Sequence, residues 1–479
     1  MPRLFLCDLP QEILLEVLTL LDGKSLLLSC PSVCRLWKNI IDSSTDIQYT
    51  LELWADGFIV GASGNSSAVE KLKALHERRR AWLSLNWSSR TVIPIDPTSR
   101  AYELVDGVFA QLNVGIQSFT AVWLPSALDH VPKTTSNSDL GIDPRDFVID
   151  PTQDLVAFVY EHPEDSANVE CRTLLSLKPH PLATLPLISF PVTDFPLGPL
   201  CVDLADDVIG LFFASSGRVV LLNWRTGRII ADIASPDSFA WSFSLLSPRA
   251  FILGHGAGSG ELQIWSFEDN VPNHVASLQL PRVIEDGTLE YLVTHSGSFR
   301  AKPAVGKSFS KSNERRLCVV SLEYADENYS LFIPHRHFQK YLSKTGGDII
   351  VPWDDWGPQY SRMLLGMPNR WLRYVHGERV VLPPTHRHPN VIEILDFGMS
   401  AFRPGANVDM LQAQSTCELH AEPSTIIDDA GTFEDDVTTS LPYRRIVRWM
   451  DQAHPIFLID EDQLIGVNDS ESQITVYTF

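Results

Sequence analysis

The sequence predicts an α+β multidomain chain: an all-α region of about ninety residues, then a large all-β array of repeated small sheets. Three observations carry this. Helical periodicity with capping signals runs through the first ninety residues and stops there. Beyond them, alternating apolar segments close on an aromatic residue at recurring intervals. The charge is also divided: the chain has 38 Lys and Arg against 59 Asp and Glu, a net −21, but its first ninety residues hold ten of each sign. The β region therefore carries the whole acidic excess.

Composition bounds the function. With 44% apolar and 20% charged residues, the 479-residue chain reads as a soluble globular protein rather than a disordered or fibrous one. An acidic surface repels a phosphate backbone, so no nucleic acid is expected as a partner. The seven cysteines, at 7, 30, 34, 171, 201, 318 and 417, form neither a disulfide framework nor a CxxC pair, which fits a reducing cytoplasm or nucleus. Asp8, Glu12 and Glu16 interrupt any signal-peptide core, and nowhere do eighteen apolar residues run together, so no membrane segment is expected.

In MPRLFLCDLPQEILLEVLTLLDG, Asp8 can cap a helix whose first turn holds Pro10 and Gln11, running to about Asp22 with Gly23 as its stop. Ile13, Leu14, Leu15, Val17, Leu18, Leu20 and Leu21 cover roughly 220° of that helix, more apolar surface than a small helical unit can bury. A short helix over Ser25–Ser29 follows. A third starts at Cys30-Pro31 and places Val33, Cys34, Leu36, Trp37, Ile40 and Ile41 on one face. Spare apolar surface of this kind suits a docking module.

The stretch LCDLPQEILLEVLTLLDGKSLLLSCPSVCRLWKNII, residues 6 to 41, resembles an F-box: a Leu-Pro loop, an acidic-Ile helix start, a leucine-rich middle and Val-Cys-Arg-x-Trp. Leu9, Pro10, Glu12, Ile13, Val33, Cys34, Arg35 and Trp37 match in order and spacing. The resemblance implies docking on the Skp-type adaptor of a cullin-RING ubiquitin ligase. Its anchors would be Leu9, Pro10, Ile13, Leu14, Leu28, Val33, Cys34 and Trp37, with Trp37 equally at home in the internal core of the F-box fold. Residues 1–45 are assigned to this unit and 46–90 to a helical linker. In the linker, a helix over Ile47–Trp54 ends at Gly57. Ser67 and Glu70 then form a capping box for a second helix from Ala68 to about Leu85, a rigid spacer roughly 27 Å long. Arg78, Arg79 and Arg80 read as a solvated face of that helix.

Residues 91–479 read as the β array. RVVLLNW ends at Trp224, ELQIWSF at Phe267, VIEILDF at Phe397 and QITVYTF at Phe479, and the first two ends lie 43 residues apart. A period of this size, with several strands in each repeat, suggests an irregular β-propeller of six to eight blades, seven preferred, over a sandwich. Ser216-Gly217 is expected as a hairpin turn. The last strand, Ile474 to Phe479, could close the ring against an early one such as Glu103 to Leu112. Residues 399 to 440, with Asp428, Asp429, Glu434, Asp435 and Asp436, look partly like an inserted loop.

The chain as a whole is similar to a family of fungal F-box proteins, with YELVDGVFA, DFVIDPTQDLVAFV, NWRTGR, VPWDDWGP and WLRYVHGERVVL as landmarks.

Catalytic signals are weak. GHGAGSG, residues 254 to 260, lacks the spacing and lysine of a phosphate loop and reads as a hairpin loop. His335 with His337, and His386 with His388, have no third ligand at zinc spacing and read as surface histidines. Asp354, Asp355 and Trp356 could suggest glycosidase carboxylates beside a sugar-stacking ring, but fit a propeller loop better. Cys30 and Cys34 read as apolar packing. No cofactor or metal is expected. The function expected is a non-catalytic substrate-recognition subunit of a Skp-cullin-F-box ubiquitin ligase, recruiting a protein target that the sequence does not name. The alternative is a propeller scaffold or hydrolase whose F-box serves only assembly.

Overall fold

Among the described residues five α-helices precede the β array, and apolar periodicity decides which of their faces turn inward. The computed structural model describes residues 9–61, 66–113, 118–126, 130–137, 139–162, 165–192, 197–234, 239–268, 270–285, 287–303, 306–324, 327–343, 347–366, 372–398, 415–427, 431–468 and 472–479. Helix α1 spans Gln11–Thr19, with Pro10 as its N-cap; Asp8, the expected cap, lies outside the described residues. It stops before Asp22, whose carboxylate instead accepts from the backbone N–H of Ser25 at 2.8 Å and starts a π-helical turn over Ser25–Ser29. A Cβ on Gly23 would stand 2.3 Å from Cβ of Trp54, so the glycine is what lets this bend lie against the fourth helix. The expected third helix is two, α2 (Cys30–Val33) and α3 (Arg35–Ser43), because Cys34 between them is extended at φ −161°, ψ 165°. Helix α4 (Thr45–Asp56) is capped by Ser44 and ended by Gly57 at φ 69°. Helix α5 (Ala68–Ser84) carries the Ser67–Glu70 capping box.

The β region forms seven blades, each built on four antiparallel strands. Their innermost strands are Ser99–Val105, Asp146–Asp150, Leu200–Ala205, Ala240–Ser247, Leu289–Ser296, Val375–His376 and Ile456–Ile459, defining blades 1 to 7. Successive inner strands touch from blade 1 through to blade 7. The hydrophobic clusters lie between blades rather than inside them. One example joins Val105, Phe119 and Ala121 of blade 1 to Phe147, Val156 and Phe158 of blade 2. This is the reason a blade needs two neighbours: each thin sheet has two apolar faces to bury.

Ring closure differs from the sequence expectation. The final strand, Gln473–Thr478, pairs with Ser89–Pro94, in the register Ser89↔Thr478 and Ile93↔Ile474, not with Glu103–Leu112. Ser89–Pro94 is thus the outer strand of blade 7, and Ile93, Leu104, Phe109, Ile465 and Ile474 seal blade 7 on blade 1. The segment assigned as helical linker also holds a strand, Phe58–Val60, paired with Phe309–Lys311 from an insertion in blade 5.

Part of the expected inserted loop is ordered sheet. Ser415–His420 adds a fifth strand to blade 6, and Ser424–Ile426 pairs with Val437–Thr439. Asp428 and Asp429 lie outside the described residues. A second insertion, between two strands of blade 5, supplies helices α6 (His335–Leu342) and α7 (Trp353–Tyr360) and the strand Ile349–Val351, which joins blade 4 in parallel.

Candidate functional site

The helical unit buries Leu14, Leu18, Leu26, Cys30, Trp37, Ile40, Ile41, Ile47 and Leu51 in one small core. Its surplus apolar side chains stay outside: Ile13 is 43% exposed, Leu28 61% and Val33 57%, and Val17, Leu20, Leu27 and Leu36 are exposed with them. The first helix therefore divides its apolar arc. Leu14 and Leu18 point inward, while Ile13, Val17 and Leu20 point to solvent. Of the eight residues expected to anchor an adaptor, Pro10, Ile13, Leu28 and Val33 are exposed, Leu9 and Cys34 are half-buried against the core, and Leu14 and Trp37 belong to the core itself. Val17, Leu20 and Leu36 lie on apolar faces read from the sequence but are not among the expected anchors, and Leu27 lies on neither of those faces.

The helices are clamped to the propeller. Arg78 and Arg79 are not a solvated face: Arg78 Nε donates to Asp462 at 3.0 Å and its guanidinium also bonds the Glu461 carbonyl, while Arg79 Nε donates to Asp56 at 3.0 Å. Nor is α5 a free spacer, since Leu75, Trp82 and Leu83 are buried and Trp82 stacks on Phe479 with centroids 3.9 Å apart. The blade 5 insertion completes the clamp. Arg300 pairs with Asp106 at 3.0 Å and with Glu461, Lys307 pairs with Asp462 at 2.8 Å, and Lys311 Nζ donates to the Asp56 carbonyl at 2.7 Å. His376 meets Asp460 at 3.1 Å, and Arg315 meets Glu378 at 2.7 Å.

Electrostatics follow from burial. Burial alone would raise the Glu461 carboxyl, but Arg300, Lys307 and Arg78 hold it well below the ordinary range. Burial pushes the Lys311 ammonium down to about 8. Such a network is weak evidence of net stability, because desolvation opposes the attraction, yet it fixes one geometry. Its partners Asp106, Glu378 and Asp460–Asp462 sit in the turns that follow the inner strands of blades 1, 6 and 7. The helical unit therefore occupies the propeller face where inner strands end, and the face where they begin lies opposite.

Of the groups considered for catalysis, Asp354, Asp355, His386 and His388 are exposed and others are buried in the fold. His335 and His337 are buried, not at the surface, and burial lowers the His337 imidazole to about 3. Trp356 is fully buried with Nε1 donating to the Gln279 carbonyl at 2.9 Å, so its ring is not presented to a sugar. Residues 256 to 260 connect two strands of blade 4 as a hairpin loop. Near the inner strands of blades 1 and 2, burial raises Glu103 to about 7 despite Arg373 Nε at 2.8 Å, and Asp146 to about 6. Among the described residues no group of three or more His, Cys, Asp or Glu could hold a metal ion, and no helix is long and apolar enough to cross a membrane.

Solved structures similar to this chain include the WD40 β-propeller domain of Doa1 (9% identity, TM-score 0.36, covering 82% of this chain and 96% of that one). Kluyvelomyces marxianus Hsv2 is similar at 9% identity and TM-score 0.38, over 80% of this chain and 97% of that one. A chain of the Mitotic Checkpoint Complex is similar at 10% identity and TM-score 0.37, over 81% and 91%. The blade count rests on the sheets themselves, not on these likenesses. No curated protein matches the sequence. The F-box domain model matches residues 6–47, which span α1 to α3 and the start of α4. The chain thus carries an F-box domain, followed by a seven-bladed β-propeller.

Proposed function

We propose that this protein is a non-catalytic substrate receptor of a Skp-cullin-F-box ubiquitin ligase, working in the cytoplasm or nucleus. Its F-box docks on a Skp-type adaptor through Pro10, Ile13, Leu28 and Val33, and its propeller holds a protein substrate. One observation carries the reading. The F-box keeps a set of apolar side chains outside its own core, while the following helix α5 is held to one propeller face through Arg78 and Asp462, leaving the opposite face for a target. A receptor of this design contributes proximity: it holds the target's lysines near the ubiquitin donor and performs no bond chemistry itself. The rigid junction suits that role, because a fixed angle between adaptor and substrate raises the effective concentration of the target.

The test is reconstitution. Full-length protein mixed with a Skp-type adaptor should co-elute with it, and with cullin, RING and ubiquitin-conjugating subunits it should direct ubiquitin onto proteins that co-purify with the propeller. No adaptor complex at micromolar concentration would remove the reading.

A further inference from the structure

Blades 7 and 1 meet at the seam where the ring closes, and on the face opposite the F-box this seam opens into a groove of about 180 Å³. Its position follows from the connectivity. Residues 95–98 link the outer strand of blade 7 to the inner strand of blade 1, and Ile456 and Ser99 stand at the beginnings of inner strands. Arg78 of α5 grips the far end of the blade 7 strand at Asp462, and the blade 5 insertion holds the same ends at Asp106 and Asp462.

The floor is apolar and the walls are ringed. Phe109, Ile456, Leu458 and Val467 are buried beneath it, and Tyr102 stacks on Phe109 with centroids 6.2 Å apart at 22°. Tyr102 is held in place by Leu372, whose N–H donates to its hydroxyl at 2.9 Å. One polar side chain enters the apolar wall: Gln111, only 3% exposed, whose Nε2 donates to the Asp96 carbonyl. Gln111 lines the groove, and among the described residues no donor meets its Oε1, which leaves that oxygen open to a donor from a ligand.

The rim has a sign. Arg100 is neutralised by Asp143 at 2.9 Å and bonds the Pro144 carbonyl at 2.8 Å. The Asp96 carboxylate accepts from Thr98, through its N–H at 2.9 Å and its hydroxyl at 2.6 Å, and among the described residues pairs with no cation. The rim is therefore net negative, on a chain whose acidic excess lies entirely beyond its first ninety residues.

We infer that this groove is the substrate-reading site of the propeller, and that it takes a tryptophan side chain from an exposed segment of the target, next to a basic residue. The indole ring fills the aromatic-walled space, its N–H donates to Gln111 Oε1, and the neighbouring cation pairs with Asp96. Tryptophan fits because it is donor-only and offers no acceptor needing a partner in the apolar wall. This inference rests on the receptor reading above, and adaptor binding is measured separately so that the two can fail independently.

The probe is the peptide Ac-Gly-Trp-Arg-Gly-NH2, titrated by calorimetry into the full chain bound to its adaptor. Replacing Trp by Ala should weaken binding at least tenfold, and replacing Arg by Glu should weaken it about fivefold at low salt and little at high salt. Gln111→Leu could act by disturbing the fold, so a second peptide with 2-naphthylalanine for Trp, lacking the N–H, is compared. The naphthyl peptide should bind the wild type several-fold more weakly than the indole peptide, and Gln111→Leu should remove that difference. Asp96→Asn, which keeps the acceptor for Thr98, should remove the preference for Arg over Glu. The inference is overturned by no binding at millimolar peptide, by equal affinity for the Arg and Glu peptides, by an indole preference that survives Gln111→Leu, or by a second copy of the chain occupying the seam. Lost adaptor binding with peptide binding intact would instead remove the receptor reading and leave the groove.

Discussion

Trp82, near the end of the helix that follows the F-box, lies flat on Phe479, the last residue of the chain, with ring centroids 3.9 Å apart and planes 15° from parallel. One aromatic pair thus ties the junction helix to the strand that closes the ring. The guanidinium of Arg379, from blade 6, covers the Trp82 ring at 4.6 Å. Phe479 is a structural member of the propeller, packed against its core.

Phe479→Ala should lower stability by about 2–3 kcal/mol, below the cost of a fully buried Phe because this ring is only partly buried. Deleting Gln473–Phe479 should do much more, since it removes the partner of both Ser89–Pro94 and Gln463–Asn468 and exposes an apolar sheet face. Thermal unfolding of the full chain checks both. A main transition unmoved by the deletion would contradict closure through this strand.

The F-box surface separates two kinds of variant. Ile13→Asp with Val33→Asp should leave the fold intact, because both side chains already face solvent, yet prevent adaptor binding by placing carboxylates in an apolar interface. Leu14→Asp should instead unfold the F-box, and Trp37→Ala should cost it about 3–5 kcal/mol, because both side chains sit in its core. Adaptor pull-down together with near-ultraviolet circular dichroism distinguishes the outcomes. A folded Ile13/Val33 double variant that still binds the adaptor would place the interface elsewhere.

At the junction, Glu461→Gln should be destabilising by about 1–3 kcal/mol, because Arg300 and Lys307 each lose one of the two carboxylates they face while keeping Asp106 and Asp462. Arg300→Met combined with Glu461→Leu should recover much of that loss, since an apolar pair needs no desolvation of charge. Denaturant unfolding provides the comparison, and a double variant no better than Glu461→Gln would show that the geometry of the network matters more than its charge.

The helices and most blades were legible because they are local patterns: the Ser67–Glu70 box, the Ser216-Gly217 turn, and strands such as Leu317–Tyr324 that alternate or run apolar. What was illegible is long-range. SRTVIP is a short, half-polar segment beside a helix, and only its pairing with Gln473–Thr478 makes it a blade strand. Arg78–Arg80 has the composition of a solvated face, but Arg78 finds Asp462 across 384 residues of sequence. Apolar periodicity could not tell Ile13 from Leu14, because both lie within one wide arc, and only the packing of α1 on α3 and α4 assigns them to opposite sides. The seam groove was equally hidden, since Gln111 and Ile456 come from opposite ends of the ring.

Buried histidines set the response to acid. Burial lowers His295 to about 4 and His337 to about 3, and lowers His335 and His376 below the ordinary imidazole range as well. Each is neutral in the folded chain at a pH where the unfolded chain has begun to bind a proton. The unfolded state therefore takes up more protons below about pH 6.5, and stability falls as pH drops from there toward 4, by roughly 1.4 kcal/mol per pH unit for each such group. Glu103 and Asp146 act in the opposite direction, because their raised values make the folded state the better proton acceptor between about pH 4 and 7. Burial raises Asp106 in the same sense, and four imidazoles outweigh these three carboxyls, so the net slope should favour neutral pH. His337 is the residue to change: its ring packs against Trp356 at 5.6 Å and Tyr360 at 4.6 Å, an environment that a phenylalanine can fill. His337→Phe should leave stability near its wild-type value at pH 7.5 and make the loss at pH 5 smaller, by about one proton's worth of slope. Urea unfolding at pH 5, 6 and 7.5 measures it, and a parallel fall in the wild type and the variant would show that His337 already carries a proton in the folded chain.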